Sequence, residues 1–347
     1  MKNRKIGSLD VSIIGLGCNN FGWRLDYSRT VAVVDAALDA GINFLDTADI
    51  YGATESEEFL GRALAGRRDR VVLATKFGMK VDDRRQGAKP DYVRQACEDS
   101  LRRLRTDHID LYQLHQPDPS TPIADTLGAL DELVRSGKVR EIGCSNFSAR
   151  QIREARAAAG QGARFVSVQN EYSLLHREPE GEVLPECERE GLAFLPFFPL
   201  ASGMLSGKYR RGQPLPENAR LSKGGGTSRF LTDHNLDVVE ELINFAAFRG
   251  HSLLELAFSW LLRHPVVASV IAGATTPEQV RANVHAAGWH LTPADLAEID
   301  KLAMVAQKFL PAFHSRQSWI SIIPLQVPPP QGTRAGRPSA PGAEVQE

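Results

Sequence analysis

IDLYQLH, residues 109–115, is an apolar, strand-like run that ends on a histidine, His115. Two earlier runs share its form: VVLATK, residues 71–76, ends on Lys76, and NFLD, residues 43–46, ends on Asp46. A helix-like stretch follows each run before the next begins, and Tyr51 stands just past Asp46. In a barrel of alternating strands and helices every strand ends at one rim, and catalytic groups collect there. The placement predicts that Asp46, Tyr51, Lys76 and His115 form one site.

Together these four residues make an acid-catalysis set. A free phenol, with a pKa near ~10, is a sluggish proton donor at neutral pH. A charged Lys76 beside Tyr51 is expected to make the phenol more acidic, with Asp46 keeping the ammonium charged and aimed. His115 is then free to hold a substrate oxygen.

Working outward, the alternation continues on both sides. Residues 5–6 and 11–14 flank a polar turn at 7–10, which predicts a short hairpin before a first barrel strand ending at 15–17. Helices are expected at 30–40, 56–64, 92–104, 123–136, 149–159, 182–190, 236–248 and 253–263. Between them lie the strands already named and further ones at 141–145, 165–169, 192–197 and 267–272. Eight strands with intervening helices define an α/β protein, a (β/α)8 TIM barrel with an N-terminal β-hairpin and long rim loops. A doubly wound sheet is the alternative. It needs a Gly-rich dinucleotide turn after the first strand, and Gly15-Leu16-Gly17 is followed by Asn20 where the third Gly belongs.

Two stretches break the period. Residues 202–233 are rich in Gly, Pro, Ser and Arg and follow a strand at the catalytic rim, which suggests a mobile flap over a ligand. From 324 the chain carries Pro328-Pro329-Pro330 and no apolar periodicity. The expected organisation is a barrel over 1–323 and a Pro-rich, disordered tail over 324–347 without chemistry.

Composition narrows the function classes. Lys plus Arg number 41 against 42 Asp plus Glu, a formal net charge of -1, so no global field recruits nucleic acid or an anionic membrane. Cys18, Cys97, Cys144 and Cys187 are scattered, with no Cys-x-x-Cys pair and no zinc-ligand spacing, which argues for reduced thiols and no metal. No run approaches the ~18 apolar residues of a membrane span, and no apolar leader follows the early Lys and Arg. The expected location is the cytoplasm, and no oligomeric state is read from the sequence.

Seven motifs in order carry a resemblance. They are DTADIYG (46–52), ATKFG (74–78), DLYQLHQPD (110–118), GCSNF (143–147), VQNEYSLLHR (168–177), PLASGMLSGKY (199–209) and IAGATTPEQVRAN (271–283). Over residues 6–287 the chain resembles the aldo-keto reductases, in the bacterial branch that is also similar to potassium-channel β subunits. The resemblance implies a barrel that binds a nicotinamide dinucleotide without a Rossmann domain. It also implies a tetrad at Asp46, Tyr51, Lys76 and His115, the quartet the chemistry selected.

Carried over by motif, Ser145, Asn146 and Gln169 hydrogen-bond the nicotinamide carboxamide, and Phe197 stacks on the ring. Leu200, Ser202, Lys208 and Arg220 meet the phosphates. Gly273, Thr275, Gln279 and Asn283 follow the last strand into a helix start, Thr276-Pro277-Glu278, where the adenosine phosphate is expected. There are departures from the family pattern: Phe198 replaces a small Ser at the pyrophosphate, and Ala282 replaces a Glu before Asn283. Gln279 stands where some branches carry an Arg for the 2′-phosphate. The implied activity is NADP(H)-dependent interconversion of aldehydes or ketones and alcohols, with NADP(H) favoured over NAD(H) and a small-molecule carbonyl or alcohol as partner. The alternative is an NADPH-sensing regulatory subunit with weak catalysis. Trp23, the segment after His115, the 202–233 stretch and the aromatic residues Phe309, Phe313 and Trp319 are expected to shape the substrate pocket.

Overall fold

The structure is a computed structural model that describes residues 1–217, 219–223 and 229–307. The proposed tail, the end of the expected barrel and the aromatic residues Phe309, Phe313 and Trp319 lie outside the described residues.

A two-residue turn at Gly7-Ser8 joins β1 (Asn3–Ile6) to β2 (Leu9–Ser12) in an antiparallel hairpin. The eight-stranded parallel sheet follows: β3 (Ile14–Gly17), β4 (Phe44–Asp46), β5 (Val72–Phe77), β6 (Ile109–Leu114), β7 (Val139–Ser145), β8 (Phe165–Glu171), β9 (Ala193–Phe197) and β10 (Val270–Gly273). The strands neighbour one another in chain order, with β10 beside β3. Closure comes just before β10: the Phe194 N–H donates to Val266 (2.8 Å), and the Ala268 N–H donates to Phe194 (3.0 Å). The expected (β/α)8 barrel with its hairpin is the observed fold.

The crossover helices are α1 (Tyr27–Asp39), α2 (Glu55–Ala63), α3 (Pro90–Leu104), α4 (Ile123–Arg135), α5 (Ala149–Ala158), α6 (Val183–Glu190), α7 (Asp233–Phe248) and α8 (Leu253–Leu262), and α9 (Pro277–His285) and α10 (Pro293–Gln307) follow the last strand. Local chemistry sets their starts. Asp26 accepts from Arg29 N at the head of α1. Ser148 with Gln151, and Ser252 with Glu255, form capping boxes on α5 and α8. Each such cap is worth about 1 kcal/mol.

Along β4, β5 and β6 the inward face changes character within one two-residue step. Phe44 gives way to Asp46, Ala74 to Lys76 and Leu111 to Gln113, residues held side by side by the Asp46↔Ala74, Ala74↔Leu111 and Lys76↔Gln113 register. The apolar members pack with Leu195, Ala268, Ile271 and the hairpin residues Ile6, Leu9 and Val11. The hairpin therefore plugs the floor of the barrel, and the polar members are left at the rim. Gly15 makes room for this layer, since a Cβ there would lie 2.8 Å from the Phe44 ring. The Gly15-Leu16-Gly17 run serves close packing in the barrel, not a Rossmann turn.

Candidate active site

The rim carries strained backbone. Ala53, Thr54, Asn146, Phe198, Ala201 and Ser202 all have positive φ, in loops that follow β4, β7 and β9. Non-glycine residues in this region cost about 1–3 kcal/mol each and persist only where their surroundings hold them.

At the centre lies a buried ion pair. Lys76 Nζ, fully buried, is 2.5 Å from Asp46 Oδ2 and also donates to the Thr47 carbonyl (2.9 Å). Burial alone would discharge such an ammonium. The adjoining Asp46 carboxylate and Tyr51 outweigh it and hold Lys76 above the usual lysine range. Tyr51 stands over the pair, with Lys76 Nζ 5.2 Å from its ring centroid, and meets the His115 ring edge-on at 5.8 Å. The structure thus brings all four predicted residues together.

One expectation needs correcting. Lys76 does pull the Tyr51 phenol down, yet burial pushes it up further and Asp46 adds to that, so the phenol rests above its ordinary value. His115 moves the other way. Burial, then the charge of Lys76, drives its imidazole well below 6.5, so the ring is neutral at physiological pH. Its Nδ1 is buried without a hydrogen-bond partner. A bare lone pair costs less there than a buried N–H, which places the ring proton on Nε2.

The residues expected at the carboxamide end surround this core. Ser145 Oγ donates to the Gln169 carbonyl (2.7 Å), and Asn146 Nδ2 donates to the His115 carbonyl (2.9 Å). Gln169 Nε2 is committed to Asp46 Oδ1 at 2.9 Å. Its amide oxygen is thereby turned from the carboxylate.

All the predicted site residues line one cavity of ≈ 2580 Å³ except Lys76, which lies beneath it. That volume exceeds the ~300–1,000 Å³ of a drug-sized site and suits a dinucleotide with a second molecule. At its far end the Thr275 N–H and hydroxyl donate to Gln279 Oε1 (2.8 and 3.1 Å), and Thr276 Oγ1 caps the start of α9. Gln279 is left with its NH₂ to offer a ligand.

The described parts of the 202–233 stretch are anchored to the barrel. The stretch begins in a 3-10 turn at Ala201–Ser206, and Met204, Leu205, Tyr209, Ala219, Leu221 and Phe230 are buried. The Tyr209 hydroxyl accepts from Leu221 N (3.2 Å), and Arg210 pairs with Glu240 on α7. Its apolar side chains anchor it, and Lys208 and Arg220 line the cavity.

Three residues missed in the sequence belong here. Asn20, read only as a failed third glycine, accepts from Arg220 at 3.2 Å and donates to the Ala274 carbonyl. Arg24 joins Lys208 and Arg220 at the cavity wall, and their mutual repulsion adds to burial in lowering all but Arg24, which burial and Arg29 lower. Arg220 is pulled to about 10, chiefly by burial and then by Arg24. Among the described residues neither Lys208 nor Arg220 has a carboxylate partner. Gln113 is the third, donating to Asp46 Oδ1 at 3.2 Å.

The family model of the aldo/keto reductase family matches residues 13–304, and this chain belongs to that family. It is 35% identical over 293 residues to the uncharacterized oxidoreductase YqkF of Bacillus subtilis (strain 168), covering 83% of this chain and 91% of that protein. Among solved structures it resembles aldo-keto reductase AKR11C1 from Bacillus halodurans in its holo form, with 36% identity and a TM-score of 0.73, over 87% of this chain and 96% of that one. The protein is an oxidoreductase of a family that uses nicotinamide cofactors.

Proposed function

We propose that this oxidoreductase moves a hydride between NADP(H) and the carbonyl or alcohol carbon of a small molecule, with Tyr51 as general acid/base. The observation that carries the reading is the buried Lys76–Asp46 pair set under a phenol and a neutral imidazole at one end of the large cavity.

The cavity wall suits the cofactor. Ser202 Oγ is buried and lacks a hydrogen-bond partner, and the clustered Arg24, Lys208 and Arg220 place positive charge beside it, a setting that favours phosphate. Leu200 and Phe198 complete that wall. Gln169, through its amide oxygen, would hold the carboxamide NH₂ with Asn146 and Ser145, and Phe197 offers a ring face beside them. Gly273, Thr275, Gln279 and Asn283 would hold the adenosine end. When bound, the nicotinamide supplies or accepts the hydride.

The protein residues handle the proton and the oxygen. As negative charge develops on the carbonyl oxygen, Tyr51 donates its proton to it and the His115 Nε2–H steadies it. Lys76 supplies the positive charge that tolerates the phenolate left behind, and Asp46 keeps that ammonium in place. In the alcohol-oxidising direction the Tyr51 phenolate accepts the proton. A panel of carbonyls and alcohols, followed by NADPH absorbance, tests the proposal. Many turnovers on a simple aldehyde are expected; cofactor binding without turnover on any of the panel would overturn it.

A further inference from the structure

Gln113 lies near the C-terminal end of β6, two residues past Leu111 on the inward face, and is fully buried. Burying an amide without hydrogen bonds costs a few kcal/mol, so its partners explain its presence. Its Nε2 donates to Asp46 Oδ1 (3.2 Å), and its Oε1 accepts from Gln169 Nε2 (3.4 Å). Gln169 Nε2 also reaches Asp46 Oδ1, at 2.9 Å. An ionised carboxylate only accepts, so both NH₂ groups must face it and both amides have one orientation.

The fold makes room for this arrangement. Gln113 pairs across the sheet with Lys76 on one side and Gly143 on the other. A Cβ at Gly143 would press within 3.2 Å of Gln113 Cγ. Asp46 therefore has one oxygen on Lys76 and the other on two amides, one of which also faces the proposed carboxamide site.

We propose that Gln113 is a positioning residue: it fixes the Asp46 carboxylate beneath Lys76 and Tyr51, and locks the Gln169 amide with its oxygen toward the nicotinamide carboxamide. This rests on the function proposed above. Among the described residues, the charged or titratable groups nearest position 113 are Asp46 from β4, Lys76 from β5, His115 two residues on along the same face and, beyond Asp46 and Lys76, Tyr51 and Cys18. β7 and β8 contribute Gly143, Ser167 and Gln169, none of which titrates.

Two variants, with Tyr51→Phe as reference, test it on 4-nitrobenzaldehyde and NADPH. Gln113→Leu is expected to lower kcat by about ten- to a hundredfold, the equivalent of one hydrogen bond to a charged group. KM for the aldehyde should stay within about threefold on the same reasoning. Gln113→Glu keeps the volume, but it donates to Asp46 only when its own carboxyl is protonated. Its kcat should rise as pH falls across a range where the parent is flat. Parental kcat in Gln113→Leu would overturn the assignment, as would a pH-independent loss in Gln113→Glu, the mark of a packing role. If Gln113→Leu fails to fold, the Gln113→Glu profile decides alone. A fully active Tyr51→Phe would instead overturn the general-acid reading, so the two failures are distinct.

Discussion

The strand-end cluster and the cofactor mouth handle charge in opposite ways. At the strand ends, Lys76 and Asp46 neutralise each other at 2.5 Å, the spare carboxylate oxygen is met by two amides, and His115 is neutral. At the mouth, Arg24, Lys208 and Arg220 come from two loops, and the charge of Arg24 raises the cost of charging Lys208 and Arg220. The first region pairs its charges internally, whereas Lys208 and Arg220 have no carboxylate partner among the described residues. Preorganised dipoles stabilise charge that appears during a reaction, since they need not reorganise as it develops. Clustered cations instead stabilise charge that arrives with a ligand.

Breaking the first region should have the largest effect. Tyr51→Phe leaves the cavity and the cations untouched while removing the proton donor, so kcat should fall by about 10²- to 10⁴-fold with NADPH affinity nearly unchanged. Stopped-flow turnover together with fluorescence titration checks both halves. Lys76→Met removes the charge that opposes burial at Tyr51, leaving burial and Asp46 to raise the phenol further. Oxidation needs the phenolate, so the pH at half-maximal alcohol oxidation should move upward in this variant. An unmoved alkaline limb would sever Lys76 from the proton step.

Breaking the mouth should act on affinity and spare the chemistry. Arg220→Ala is expected to weaken NADPH binding by about tenfold or more, and Arg24→Ala by a smaller factor, with kcat at saturating cofactor preserved. Added salt should weaken parental binding more than that of either variant, because part of the attraction has gone. The same cations predict tighter binding of NADPH than NADH. The margin should be modest, because Gln279 stands where an Arg would add a charge and the bulky Phe198 lines the wall where the phosphates would lie. Equal dissociation constants for the two cofactors would remove the 2′-phosphate from the reading of this wall.

The two regions were also unequally legible in the sequence. Asp46, Lys76 and His115 end apolar runs, and a barrel gathers strand ends by construction, so local pattern alone placed them. Gln113 had a signal too: it lies two residues before His115, on the same strand face, as a lone amide in an apolar run. The contact between Asn20 and Arg220, 200 residues apart, had none, because only barrel closure beside β3 brings them together. The anchoring of the described parts of the 202–233 stretch was not legible for a related reason. Its apolar residues are sparse and aperiodic, and their burial depends on surfaces supplied by distant elements. The direction of the Tyr51 shift was hidden likewise, since burial is a property of the whole fold and outweighs the neighbouring charge.

Asp49 offers the finest test, because it is the exception within the self-neutralised region. It lies on the loop carrying Tyr51 and is almost fully buried, with Oδ1 unpartnered, a long hydrogen bond from the Tyr92 hydroxyl to Oδ2 (3.4 Å) and a backbone hydrogen bond from Ile50. Burial, then the charge of Glu57, lifts its carboxyl to about 8. The folded state thus binds this proton more tightly than the unfolded chain, whose Asp titrates near ~3.9. The resulting stability is fully present below that value and is lost as pH rises toward about 8. Asp49→Asn keeps the shape without the charge. Its melting temperature should exceed the parent's by a few degrees above pH 8, with the gap narrowing steadily toward acid pH. A gap that stays constant with pH would mean that Asp49 is not the group being charged, and that some unseen partner balances this loop as completely as Lys76 balances Asp46.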